Sequence, residues 1–193
     1  MPMLAVSLNF KIDSTQPDIV VDARDGATHP AAALDTKILI YEDRVRGWFL
    51  RVADVLKADG DAGYVALQIA VSQVEGMQQH FDGEDSTGAS GPAFKAGCTR
   101  IFGLEAKDSA QLDVLWKAVR NGLFHDGFTK SKVFLSGDPG VALTFDKGNV
   151  VVNPWRFCDA VKRAVEAYVA DLKNPGNGDL RSKFEKIWND KNA

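Results

Sequence analysis

Ser109-Ala110-Gln111-Leu112-Asp113-Val114-Leu115-Trp116-Lys117-Ala118-Val119-Arg120-Asn121-Gly122-Leu123-Phe124-His125-Asp126-Gly127 is the stretch on which the reading of this chain turns. Leu112, Leu115, Trp116, Val119 and Leu123 recur every three or four residues, the spacing that lines one face of an α-helix. This predicts a helix over 109–124. Asp108 or Ser109 can cap it, and Gly127, which takes the left-handed conformation without strain, can end it. A stripe of that width must be covered by other apolar surface, so the helix implies a core built elsewhere in the chain.

The segments on either side supply that surface. Ile38, Tyr41, Val45, Trp48, Phe49, Val52, Val55 and Leu56 predict a helix over 35–57, with Asp35 as N-cap. Tyr64, Leu67, Val71, Val74 and Phe81 predict another over 63–81, with Glu75 beside its apolar stripe. A short helix over 92–102 opens on Pro92, and a longer one opens on Asn153-Pro154, an N-cap followed by a residue suited to a first turn. The last helix, over 179–189, carries Leu180, Phe184, Ile187 and Trp188. Between these helices the period changes. Residues 133–135, 141–145 and 150–152 read as short strands separated by turn sequences, a small antiparallel meander within 132–152. Residues 1–34 are poorly periodic: a short strand is expected over 4–10 and a loop over 13–30, broken by Pro17, Gly26 and Pro30. The expected fold is mainly α: a helical bundle over 35–193 carrying the meander, with 1–34 packed on it as an irregular segment of the same single domain.

Composition narrows the function. At 193 residues the chain can bury a sizeable core. A net charge of -3 argues against tight binding to long duplex nucleic acid, which needs many phosphate-neutralising cations. Cys98 and Cys158 form no metal-binding spacing and read as buried free thiols in a reducing compartment. No apolar run approaches a membrane span, and residues 1–13 have neither the basic start nor the apolar core of a signal peptide. A cytoplasmic location is the expectation.

Chemistry concentrates at Arg120, Asn121 and His125. A histidine exchanges protons near neutral pH and can take a ribose 2'-hydroxyl proton or protonate a leaving oxygen. A guanidinium keeps its charge and offers a planar fork to phosphate oxygens. Arg120 would hold a scissile phosphate and stabilise the charge of the transition state, and Asn121 would orient either partner. No metal or other cofactor is needed. Lys117, Lys130 and Lys132 flank the motif and could add a positive substrate-binding patch. A second reading stands beside this one: a basic residue and a histidine in a last helical turn can simply answer the helix dipole. On an ideal helix, moreover, residues five apart point about 140° away from each other. His29 and His80 are isolated, and His80 reads as a surface residue at a helix end. Trp155-Arg156 could clamp a base or could anchor a helix start.

An Arg-polar-x3-His motif on a late helix of a bundle resembles the signature of HEPN domains, and Arg120, Asn121 and His125 match it position by position. The resemblance covers roughly residues 35–172. It implies a HEPN-like bundle, metal-independent cleavage or binding of RNA or a nucleotide, homodimerisation with the motifs facing one cleft, and a toxin or phage-defence setting with an antitoxin partner. It also implies an acidic residue on an earlier helix, for which Glu75 is the candidate. The long N-terminal segment and the strands after His125 depart from the simplest members. Some HEPN domains have lost activity, so a catalytically inactive domain serving dimerisation or protein–protein interaction is the alternative.

Overall fold

The computed structural model describes residues 3–105, 108–129, 132–138 and 140–192. Helix dominates, as the apolar periodicity requires. The first helical rod is α1 (Leu34–Arg44), a π-helical segment (Val45–Leu50) and α2 (Arg51–Leu56), joined end to end. Then come α3 (Gly63–Asp82) and α4 (Ser90–Phe102). A second rod begins as α5 (Ser109–Val114) and continues through two π-helical segments, Leu115–Arg120 and Gly122–Asp126. The chain closes with α6 (Pro154–Lys173) and α7 (Gly178–Asn192).

α3 is the central element. Ala66, Leu67, Ala70, Val71 and Val74 are fully buried on it, and α4, α6 and α7 pack around it. The small residues let these neighbours come close. At Gly97 of α4 an added Cβ would stand 2.7 Å from the Val74 carbonyl oxygen, so glycine is needed there for the two helices to touch. Phe94 and Cys98 sit beside it at zero exposure, and Phe157, Val161, Val165 and Leu172 of α6 complete the core. The thiols of Cys98 and Cys158 are free and buried. Burial raises both thiol pKa values, that of Cys158 to about 12, so neither is a ready nucleophile.

Caps confirm one expected boundary and correct another. Asn153 caps α6, its Oδ1 accepting from the backbone N–H of Trp155 and Arg156 at 3.1 Å each, with Pro154 following. Asp35 is not a cap. α1 begins one residue earlier, behind Ala33, and the Asp35 carboxylate instead accepts from Arg181 Nη2 at 2.7 Å. Asp108 precedes α5 without bonding to it; its carboxylate takes the Glu105 N–H.

The N-terminal segment is the largest correction. In place of an irregular stretch there is a four-stranded antiparallel sheet, β1 (Met3–Ala5), β2 (Phe10–Asp13), β3 (Gln16–Asp22) and β4 (Thr28–Pro30), in sequential order. Its strands are mostly three or four residues long, too short to show a period. Its turns are made by side chains: Asp13 Oδ1 accepts from Thr15, and Asp22 holds Arg24 just before Gly26 at φ 77°. Pro30 ends an edge strand, where proline is tolerated. The sheet is tied to α1 through Asp43, whose carboxylate accepts from Ser7 Oγ, Asn9 N and Asn9 Nδ2 at 2.6–2.7 Å. Phe10 and Val20 point into the common core.

The second sheet also differs from the expected antiparallel meander. β5 (Val133–Leu135), β6 (Leu143–Asp146) and β7 (Asn149–Val152) lie in the order β5-β7-β6. β6 and β7 form the expected hairpin, turning at Lys147-Gly148, but β5 pairs in parallel with the far edge of β7. The reason is local. The tight two-residue turn commits β7 to β6, which leaves β7's other edge for β5.

Gly97→Ala separates packing from propensity. Alanine favours a helix by about 1 kcal/mol over glycine, yet here overpacking against Val74 should reverse the sign and destabilise the protein by about 1–3 kcal/mol. Equilibrium urea unfolding measures this, and a stabilised variant would contradict the close helix contact.

Candidate functional site

Glu75 and Arg120 lie 45 residues apart and meet as an ion pair, Arg120 Nη2 to Glu75 Oε2 at 3.0 Å. α3 brings the carboxylate and the second helical rod brings the guanidinium. Both are largely buried, with side-chain exposures of 12% and 23%. Arg120 lies over two rings of its own helix, 4.8 Å from the centroid of Trp116 and 5.2 Å from that of Phe124, each one turn away. Trp116 in turn rests against Gly91, where a Cβ would stand 3.2 Å from the ring, and packs on Phe94. The guanidinium is thus set in place by a carboxylate at its tip and aromatic faces along its plane. Its Nη1 also donates to Asn121 Oδ1 at 3.4 Å, a long bond, while its Nε is buried without a partner among the described residues.

Glu75 is held from the other side as well. Its Oε1 accepts from Ser86 Oγ at 2.6 Å, and Gln79 Nε2 donates to the same Ser86 oxygen at 2.6 Å. Lys191 of α7 bonds Gln79 Oε1 and pairs with Asp85. A polar chain therefore runs from the C-terminal helix, through the loop after α3, to Arg120. It borders an open cleft of about 230 Å³ lined by Val71, Ser72, Glu75, Gly76, Gln79, Arg120 and Phe124.

His125 is exposed, and its side chain makes no hydrogen bond or ring contact among the described residues. It is not in the lining of the Arg120 cleft. The helix between the two residues is nevertheless not ideal. Asn121 N–H bonds the carbonyl of Trp116, five residues back, and a second π-helical segment follows up to Gly127 at φ 76°. A turn closed from i to i+5 is wider than an α-helical one, so residues five apart diverge by less than the about 140° of an ideal α-helix. The wide turns thus reduce the divergence of Arg120 and His125 that the α-helical geometry expected from the sequence would impose.

The three lysines fare differently. Lys117 is exposed on the second rod, and Lys132 is exposed at φ 76° just before β5. Neither lines the cleft. Lys130 lies outside the described residues. Of the partners of Arg120, Glu75 was legible as an acid beside an apolar stripe. Gln79 follows it by one turn on the same helix, a signal that was available. Ser86, in a polar loop, gave none.

His80 is a correction. It is not a surface residue: its ring packs against Tyr41 and Phe184, with centroids 4.8 and 5.4 Å away, and its Nδ1 is buried without a partner among the described residues. Burial, with a smaller push from the Lys191 ammonium, lowers its pKa to about 4. The helix end that looked exposed is covered by α7, which the local sequence around His80 cannot reveal.

Comparison with family models, with characterised proteins and with solved structures gives no match to this chain.

The buried neutral His80 makes stability depend on pH with a definite sign. The unfolded chain's imidazole binds a proton near pH ~6.5, whereas the folded one stays neutral down to about 4. Between these values the unfolded state holds more protons, so stability falls as pH falls. From pH 7 to 4.5 the loss from this residue is about 2–3 kcal/mol. His80→Phe, which keeps a ring between Tyr41 and Phe184, should lose that much less over the same range in urea unfolding. Equal losses in the two proteins would rule out a neutral His80 in the core.

Proposed function

We propose that this chain is a HEPN-type protein that binds RNA or a nucleotide at Arg120 and cleaves RNA without a metal, using Arg120, Asn121 and His125. The observation that carries the reading is the Glu75–Arg120 pair at the cleft, with an uncommitted His125 five residues on in a π-helical turn. Arg120 is oriented before any ligand arrives, and a preset cation is worth more to a developing phosphate charge than one that must be gathered from solvent. Its edge not used by Glu75 would receive the phosphate oxygens. His125, free in solvent, would take the 2'-hydroxyl proton. The 2'-oxygen then bonds to phosphorus, the bond to the 5'-oxygen breaks, and that oxygen leaves with a proton. The products are a 2',3'-cyclic phosphate and a 5'-hydroxyl.

Two proton transfers call for two groups. In a homodimer with facing motifs, one His125 would act as base and the second copy's as acid. Exposed Phe124 and Phe128 next to the motif support such a contact. A cytoplasmic toxin or phage-defence role, with a partner antitoxin, belongs to the same reading. Lys117, Lys130 and Lys132 would then serve as outer phosphate contacts.

The second reading is a catalytically inactive helical domain that dimerises or binds another protein. It is favoured by the same pair seen differently: the charge of Arg120 is already met by Glu75, and His125 lies outside the cleft lining.

Incubating the purified protein with single-stranded RNAs, with and without EDTA, and analysing the new termini decides between them. Wild type should leave cyclic phosphate ends in EDTA. His125→Ala should lose at least about 10²-fold in rate, the usual worth of a general base. Arg120→Lys keeps the charge but loses the fork and should also be strongly impaired. Folded wild-type protein that cleaves none of the RNAs would favour the inactive domain.

A further inference from the structure

The chain has nine arginines. Seven of them hold a carboxylate, an amide or a backbone carbonyl. The side chains of the remaining two, Arg156 and Arg163, make no hydrogen bond, ion pair or ring contact among the described residues. Both line the same groove. It runs between the C-terminal end of α4, the 140–143 segment leading into β6, and α6, with a volume of about 450 Å³, nearly twice that of the Arg120 cleft. That is within the size range of small-molecule pockets, about 300–1,000 Å³.

The geometry suits one anionic head. Arg156, Ala160 and Arg163 follow one another at i, i+4 and i+7, so they share one face of α6. Seven residues of helix rise about 10.5 Å, a span that two long side chains can close over the small Ala160 between them. Among the described residues, no carboxylate lines the groove. Of the neighbouring charges on α6, Lys162 pairs with Asp54, Asp159 with Lys57 and Lys173 with Glu42, and Glu166 lines a different groove. In a protein of net charge -3, two unopposed guanidiniums on one apolar groove form a local positive site that carboxylate or phosphate oxygens would answer.

The walls indicate the rest of the ligand. Ile101, Leu104, Val141 and Leu143 are aliphatic, and Val141 is 58% exposed. The one aromatic ring, Phe102, is packed on Phe157 with centroids 4.5 Å apart and so is engaged within the protein. The groove is therefore built for an aliphatic chain more than for a stacked base. We propose that it binds an organic acid with an aliphatic body, its carboxylate or phosphate head bridged by Arg156 and Arg163 and its chain lying along Ile101, Leu104 and Leu143.

Isothermal titration with decanoate, decyl phosphate and decyltrimethylammonium tests this on the full chain. Saturable binding of one or both acids, with none of the cation, is the expected result. Arg156→Gln/Arg163→Gln, both exposed positions, should weaken acid binding at least tenfold. Ala160→Leu, which fills the floor between them, should weaken it too, while Arg120→Lys should leave it unchanged. A parallel arm with phosphatidylglycerol vesicles assigns the source: co-sedimentation that needs the two arginines identifies a membrane lipid, and its absence beside decanoate or decyl phosphate binding identifies a free acid. No saturable binding of either acid, equal binding of the cation, or binding that survives the double substitution would overturn the proposal.

Discussion

The close contact of α3 with α4 at Val74 and Gly97 is the constraint on which the rest of the molecule depends. It lets the backbone of α4 lie directly against Val74 of the central helix, and α6 and α7 close over other faces. Tight packing of this kind tolerates little change in volume. With so much of α3 buried, a narrow strip containing Ser72, Glu75 and Gly76 reaches the Arg120 cleft. A carboxylate on that strip is partly withdrawn from water and needs a cation. The Arg120 pairing answers that need, so the site is in part a consequence of how deeply its helix is buried.

This gives Arg120 two roles that are hard to pull apart. It neutralises Glu75 within the fold, and it presents a guanidinium at a cleft, the act that the proposed function assigns to it. The aromatic faces of Trp116 and Phe124 serve both. The polar chain through Ser86, Gln79 and Lys191 extends the coupling to the C-terminal helix. Lys191 and Ser86 are thereby linked to Arg120 by a continuous chain of hydrogen bonds.

The helices were legible because apolar spacing survives from sequence to structure. Asn153-Pro154 marked the start of α6 for the same reason: the cap is a local interaction between neighbours. What could not be read was non-local or too short to show a period. The N-terminal sheet depends on Asp43, more than thirty residues away from the loop it holds. The parallel pairing of β5 skips over a hairpin, and nothing in Val133 to Leu135 encodes a direction. At the site, Arg120, Asn121 and His125 were visible as a motif and Glu75 as an acid beside a stripe. Their joining was not, because it needs the packing of two helices. His80 was misread because the residues that cover it come from the far end of the chain.

The π-helical segments of the second rod carry a consequence of their own. A turn closed from i to i+5 contains one residue more than an α-helical turn, so this rod holds surplus length along its path. Deleting a single residue between Trp116 and Phe124 would remove that surplus and let a wide turn close as an α-helical one, with the residues after it keeping their places against the core. What would be lost is the wide turn itself: on an α-helix the same arginine and histidine, five apart, point about 140° from each other. Identity of residues alone is thus an incomplete description of the motif: the spacing of the chain before it acts as a mechanical setting, and a shorter chain with the same arginine, asparagine and histidine would be a different surface.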